Sequence, residues 1–195
     1  MRTWVALLRA VNLGAYNKVS MPALREALAE AGFGDVRTYV QSGNVVLRSD
    51  HAAADDVAAA VRKVIAGRFD VDTPVVVRTG AQLKRVLDWN PFPEAAEARP
   101  NRTVVVHLAG KPEPAAVREV LAVDVAPDAI AVRGLEIVVG YAGTTQSKPT
   151  AAALKKIGVD GTSRNWRTLS ALVELATQVE AGKAAGAGQT GEKPR

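Results

Sequence analysis

The chain contains no cysteine. That excludes disulfides, thiolate nucleophiles and cysteine-held zinc or iron–sulfur sites, and it fits a reducing compartment. Aromatic residues are scarce, at 5% of the 195 positions. Strand-like stretches such as "WVALLR" and "NVVLRS" carry no stacking pair, which argues against RNA binding on a sheet face. No apolar run approaches the roughly 20 residues that span a bilayer, so no membrane attachment is expected. The apolar run after Met1 is broken at Arg9 and lacks a small-residue cleavage site. No signal peptide is therefore expected, and the cytoplasm is the expected compartment. No phosphate-cradling P-loop occurs, and the only G-x-G-x-x-G spelling, Gly186 to Gly191 in the tail, follows no strand-like run. Gln41-Ser42-Gly43 lacks the leading glycine of a serine-hydrolase elbow, and Ser42 has no evident base. The two histidines, His51 and His107, show no metal-ligand spacing. No metal and no cofactor are expected, and no catalytic residue or reaction is assigned.

What is present is an apolar, mildly basic chain. Hydrophobic residues make up 48%, enough for a sizeable core, and Ala and Val dominate them. The formal charge is +5 and the sequence pI is about 9.7. Such a balance favours anionic partners, either small molecules or nucleic acid.

The pattern of elements predicts an α+β fold. Thr3 to Leu8 reads as a buried strand. A loop from Arg9 to Ser20 leads to a helix that Ser20 is expected to cap, with Pro22 in its first turn. Val36–Val40 and Asn44–Arg48 read as strands around the turn Gln41-Ser42-Gly43-Asn44. Asp50 is expected to cap a helix ending near Gly67, followed by a strand at Thr73–Arg78. The order β-α-β-β-α-β within about 80 residues is that of a ferredoxin-like unit. A short helix and a Pro/Ala-rich connection occupy 81–102, and β-α-β-β-α then recurs. The reading is two ferredoxin-like (α/β-plait, βαββαβ-type) subdomains with antiparallel sheets, at 1–80 and 103–180. The second carries a C-terminal helix from about Ser163 to Val179, and 181–195 is a disordered tail. "WVALL" and "TVVVHL" are apolar at successive positions, which predicts sheets covered on both faces. Sheet-against-sheet packing of the two halves, or dimerisation, would supply the cover.

Two polar clusters are candidate sites. In this topology the end of the first strand lies beside the turn between the second and third. Arg9 and Asn12 should therefore approach Gln41, Ser42 and Asn44. Arginine offers a fork of donors for phosphate or carboxylate. The same groups could serve only to tie the long loop down. In "GTSRNWRT", Thr162 or Ser163 is expected to cap the last helix. Arg164 and Arg167 would then share its first turn beside Asn165, where free N–H groups favour an anion. Pairing with acidic side chains elsewhere is the alternative.

"LLRAVNLG", "VSMPALREALAEAGFGDVRTYVQSGNVVLRS" and "TSRNWRTLSALVEL" together resemble the DUF1697 family of uncharacterised bacterial proteins, over Met1 to about Val179. The resemblance implies two α/β-plait subdomains and no assigned activity. Where a second glycine often follows "RAVNLG" in the family, this chain has Ala15.

The leading expectation is an anionic small-molecule ligand bound by Arg9, Asn12, Gln41, Ser42, Asn44, Arg164, Asn165 and Arg167. The second is nucleic-acid binding by a distributed basic surface that includes Lys18, Arg37, Arg48, Lys155 and Lys156. An enzyme acting on a nucleotide or phosphorylated metabolite ranks below both. In a fourth reading, the polar motifs only brace loops.

Overall fold

In the computed structural model, residues 1–14 and 16–187 are described. The chain divides into unit 1, Met1–Leu83 together with the chain from Ala171, and unit 2, Lys84–Ser170. Each unit carries one four-stranded antiparallel sheet, and seven helices occur among the described residues.

Unit 1 runs β1 (Arg2–Leu8), α1 (Met21–Glu30), β2 (Gly34–Tyr39), β3 (Asn44–Ser49), α2 (Ala54–Phe69) and β4 (Val75–Arg78). Its strand order is β2-β3-β1-β4. Alternate residues of β1 face opposite ways. Trp4, Ala6 and Leu8 join one core with Leu24 and Leu28 of α1 and Val57, Val61 and Ile65 of α2. Val5 and Leu7, on the other face, are just as buried, as the unbroken apolar run requires.

Helices α3 (Gly80–Trp89) and α4 (Pro93–Ala98) follow, so the expected connection is partly helical. Unit 2 then runs β5 (Thr103–Leu108), α5 (Pro114–Leu121), β6 (Ala129–Arg133), β7 (Glu136–Gly140), α6 (Lys148–Lys155) and β8 (Gly161–Asn165). Its order is β6-β7-β5-β8, and its core gathers Leu108, Val120, Ile137, Val139, Ala153 and Ile157. The two sheets share their register. Val5 pairs with Val46 and Arg78, and Val105 pairs with Val138 and Arg164.

Several local expectations are corrected. Ser20 sits at the α1 cap position, but its hydroxyl makes no capping bond. Ala53, not Asp50, precedes α2, because Asp50 pairs with the Met1 ammonium at 2.8 Å. Helix α2 passes through Gly67 to Phe69 and ends at Asp70, whose φ is 54°. "GTSRN" is a strand rather than a helix start: pairing with β5 overrides its weak propensity. The last helix, α7, is Trp166–Ala187. Residues 181–187, expected in the tail, continue α7, since an Ala-rich run favours helix. Residues 188–195, the rest of that expected tail, lie outside the described residues, as does Ala15.

Candidate functional site

The β2–β3 turn and the β1–α1 loop meet at the end of β1. One side chain, Asn12, makes the junction through one hydrogen bond to the turn and braces its own loop through two more. Asn12 Nδ2 donates to Val19 O at 2.9 Å and to Gln41 O at 2.7 Å, while Asn12 Oδ1 accepts from Val19 N at 2.9 Å. Asn44, fully buried at the start of β3, donates through Nδ2 to Tyr39 O and to Ser42 Oγ, both at 3.0 Å. Gly43 accepts from Leu8 N at 2.8 Å. Its φ is +77°, and an added Cβ would stand 2.6 Å from Val11 Cγ2 and 2.7 Å from Leu8 Cβ. Arg9 is tied through its backbone, its N donating to Pro74 O at 3.0 Å and its O accepting from the Thr73 hydroxyl. Gln41 and Ser42 are exposed.

The same edge carries backbone conformations that L residues adopt at a cost. Ala10, Asn12, Asn17 and Val40 have φ of 52°, 56°, 49° and 49°. For a β-branched residue such as Val40 that is an outlier. Leu13, Tyr16 and Val40 are 63%, 81% and 52% exposed.

Unit 2 provides an internal reference. Its β1–α1 counterpart, between β5 and α5, takes 5 residues (109–113), against 12 (9–20) in unit 1. Its β2–β3 counterpart takes 2 residues (134–135), against 4 (40–43). The backbone link is nonetheless the same, since Leu108 N donates to Leu135 O at 2.9 Å. The topology therefore closes with short loops, and unit 1 elaborates both at one edge.

The second expected cluster is rearranged. Asn165 caps α7, its Oδ1 accepting from Thr168 N at 2.8 Å, and its Nδ2 donates to Asn101 Oδ1 at 3.4 Å. Arg167 is exposed on the helix, whereas Arg164 lies buried on β8. The two arginines do not share a helical turn. Arg164 Nη1 donates to Thr162 Oγ1 at 2.8 Å and Ser163 O at 2.7 Å. Burial pushes its pKa down to about 10. Among the other basic residues, Arg48 pairs with Asp35 at 2.9 Å and Lys156 with Glu119 at 3.5 Å. Lys18, Arg37 and Lys155 are exposed.

Residues that, Arg164 apart, lie outside the expected set form two polar groups in unit 2. Glu136, His107 and Thr162 sit side by side across β7, β5 and β8, with Arg164 next on the same face of β8 and all four buried. His107 Nδ1 lies 2.6 Å from Glu136 Oε2. Spacing could not reveal this group, because its members come from three strands.

The other group centres on Asp128, which is 8% exposed. Asp128 accepts from Ala142 N at 2.9 Å, Ser147 N at 3.4 Å and the Thr150 hydroxyl at 2.7 Å. It thereby anchors the 141–147 loop and the start of α6. Burial alone would raise its pKa; the hydrogen bonds from Ala142, Thr150 and Ser147 outweigh it and hold the carboxyl below its usual value. A depressed carboxyl pKa adds stability above its unfolded value that is lost as pH falls through the folded pKa. Asp128→Asn should cost about 1–3 kcal/mol at neutral pH. The gap to the wild type should close below about pH 4, as read by urea unfolding across pH. A pH-independent gap would contradict this role.

Among the described residues, no group of three or more His, Asp or Glu is arranged to hold a metal ion. No helix among them is long and apolar enough to cross a membrane.

Comparison with curated proteins gave no match. Among solved structures, the chain is similar to a conserved bacterial protein from Streptococcus pneumoniae at 21% identity. The alignment covers 89% of this chain and 98% of that one, with a TM-score of 0.69. That likeness bears on the fold alone. The family model described as "Protein of unknown function (DUF1697)" matches residues 1–137, so the chain belongs to the DUF1697 family.

Proposed function

We propose that each unit is a ferredoxin-like α/β plait and that unit 1 uses the end of β1 to bind an anionic ligand bearing phosphate or carboxylate. The observation that carries this reading is the paired elaboration of the β1–α1 loop and the β2–β3 turn, locked together by Asn12 at 2.7 Å. Loops fixed by a rigid scaffold are where binding residues concentrate. Arg9, Gln41 and Ser42 are the ligand-facing groups of the proposal, with Lys18 adding positive charge. Asn12 and Asn44 act as positioning residues, since their amides are spent on the backbone and on Ser42. Arg164, Asn165 and Arg167 belong to unit 2 and are not enlisted.

That use of Asn12 and Asn44 also favours a second reading, in which the cluster only braces the loops. A thermal-shift screen against nucleotides, phosphorylated metabolites and short oligonucleotides separates the two. A ligand at about 100 times its dissociation constant should stabilise by roughly 2.7 kcal/mol. The expected result is a small-molecule shift that disappears in Arg9→Ala and in Gln41→Ala/Ser42→Ala. No shift with any ligand would leave bracing as the function of the edge. A shift with oligonucleotides alone, vanishing at moderate salt, would move the reading to a distributed basic surface.

A further inference from the structure

At the end of unit 1 opposite the Gln41–Asn44 turn, α1 and α2 border a cleft of about 730 Å³. That volume falls in the range of small-molecule pockets, roughly 300–1,000 Å³. Its α2 wall is Ala60, Lys63, Val64, Gly67 and Arg68. These positions follow the i, i+3, i+4, i+7, i+8 spacing of one helical face. Phe33 and His51 also line it, with ring centroids 6.4 Å apart and planes tilted by 50°.

Small side chains keep the cleft open. A Cβ built on Gly67 would meet nothing within 4 Å, although a glycine inside a helix costs about 1 kcal/mol against alanine. The charges lining the cleft are unequally engaged. Asp50 is paired with the Met1 ammonium at 2.8 Å. Lys63 and Arg68 make no ion pair among the described residues. Two unengaged cations thus stand beside an aromatic pair and apolar Val64, with Glu30 the one acid of the lining outside an ion pair.

We infer that this cleft is a second ligand site, separate from the β1 edge, and that it takes a small amphipathic organic anion. The aromatic or alkyl body packs on Phe33 and Val64, and the carboxylate or sulfonate meets Lys63 and Arg68. Apolar contact supplies most of the affinity, because exposed ion pairs are individually weak. The cations select the sign of the headgroup.

The test uses the full chain and the fluorescent probe 1-anilinonaphthalene-8-sulfonate, with neutral N-phenyl-1-naphthylamine as its uncharged counterpart. Saturable binding of the sulfonate at one site per chain is expected, under conditions where the protein melts cooperatively. Lys63→Glu/Arg68→Glu should weaken the sulfonate about tenfold, two attractions having become repulsions, and leave the neutral probe nearly unchanged. These are surface changes that leave the core intact. Gly67→Phe, which fills the open space, should abolish both probes. Arg9→Ala should affect neither, so failure here is distinguishable from failure of the β1-edge reading. Absence of saturable binding, or sulfonate binding indifferent to both variants, would overturn the inference. So would a dimer that Gly67→Phe dissociates without any probe binding, since the cleft would then serve self-association.

Discussion

Replacing Gly43 with alanine is expected to destabilise the protein by about 2–5 kcal/mol, the sum of a left-handed backbone penalty and an overpacked contact. Gly43 has a φ of +77°, and the new Cβ would sit 2.6 Å from Val11 Cγ2 and 2.7 Å from Leu8 Cβ. Neither neighbour can yield easily. Leu8 and Val11 are both buried, and Leu8 N is bonded to Gly43 O at 2.8 Å. Unit 2 contains the control. Gly134 also has a positive φ, +61°, but nothing lies within 4 Å of its Cβ position. Gly134→Ala should therefore cost only the backbone penalty, about 1–2 kcal/mol. A difference of 3 kcal/mol would lower the melting midpoint by roughly 6–12 °C in a chain of this length. Equal midpoints for the two variants, by circular dichroism melting, would show that β1 and the turn separate without cost. If the β1 edge binds a ligand, Gly43→Ala should also weaken it, because the turn carries Gln41 and Ser42.

A second large effect is expected at the buried His107–Glu136 contact. Glu136→Leu should cost about 2–5 kcal/mol, the range between leaving a buried polar group unsatisfied and breaking a buried pair. His107→Leu should cost a similar amount. The double variant should recover part of the loss, because both polar groups then leave the interior together, while the other interactions of Glu136 stay lost. Leucine is a fitting replacement at 107. The position matches Leu7 in register, since Leu7 pairs with Asn44 as His107 pairs with Glu136. The double-mutant cycle reads the coupling directly. Strictly additive losses would show that the 2.6 Å contact contributes no energy of its own.

Much of unit 1 was legible in the chain. "WVALL" announced a strand covered on both faces, and the alternation of strands and amphipathic helices announced the β-α-β-β-α-β order. The meeting of Asn12 with the Gln41–Asn44 turn followed from topology, because strands one and three must lie side by side, whereas Arg9 is tied through its backbone to Thr73 and Pro74. The start of the last helix was misread. "GTSRN" is polar and short, and its strand state depends on β5, more than fifty residues earlier. Local pattern carries no trace of that pairing. Asp50 resembled a helix cap for the same reason: its partner is the chain's own first residue.

Composition and periodicity by themselves determined the α+β class and its antiparallel sheets. These depend on local spacing and on the rule that adjacent strands bury apolar faces. Only the tertiary structure decided which polar side chains are spent and which are exposed. Asn12 and Asn44 turned out to be braces, Arg164 a desolvated strand residue and Asn165 a cap, while Gln41, Ser42 and Arg167 remain exposed. The α1–α2 cleft is of the same kind. The open space at Gly67 depends on which residues α1, α2 and the segments at 32–33 and 49–51 bring to one place, and these are far apart in sequence.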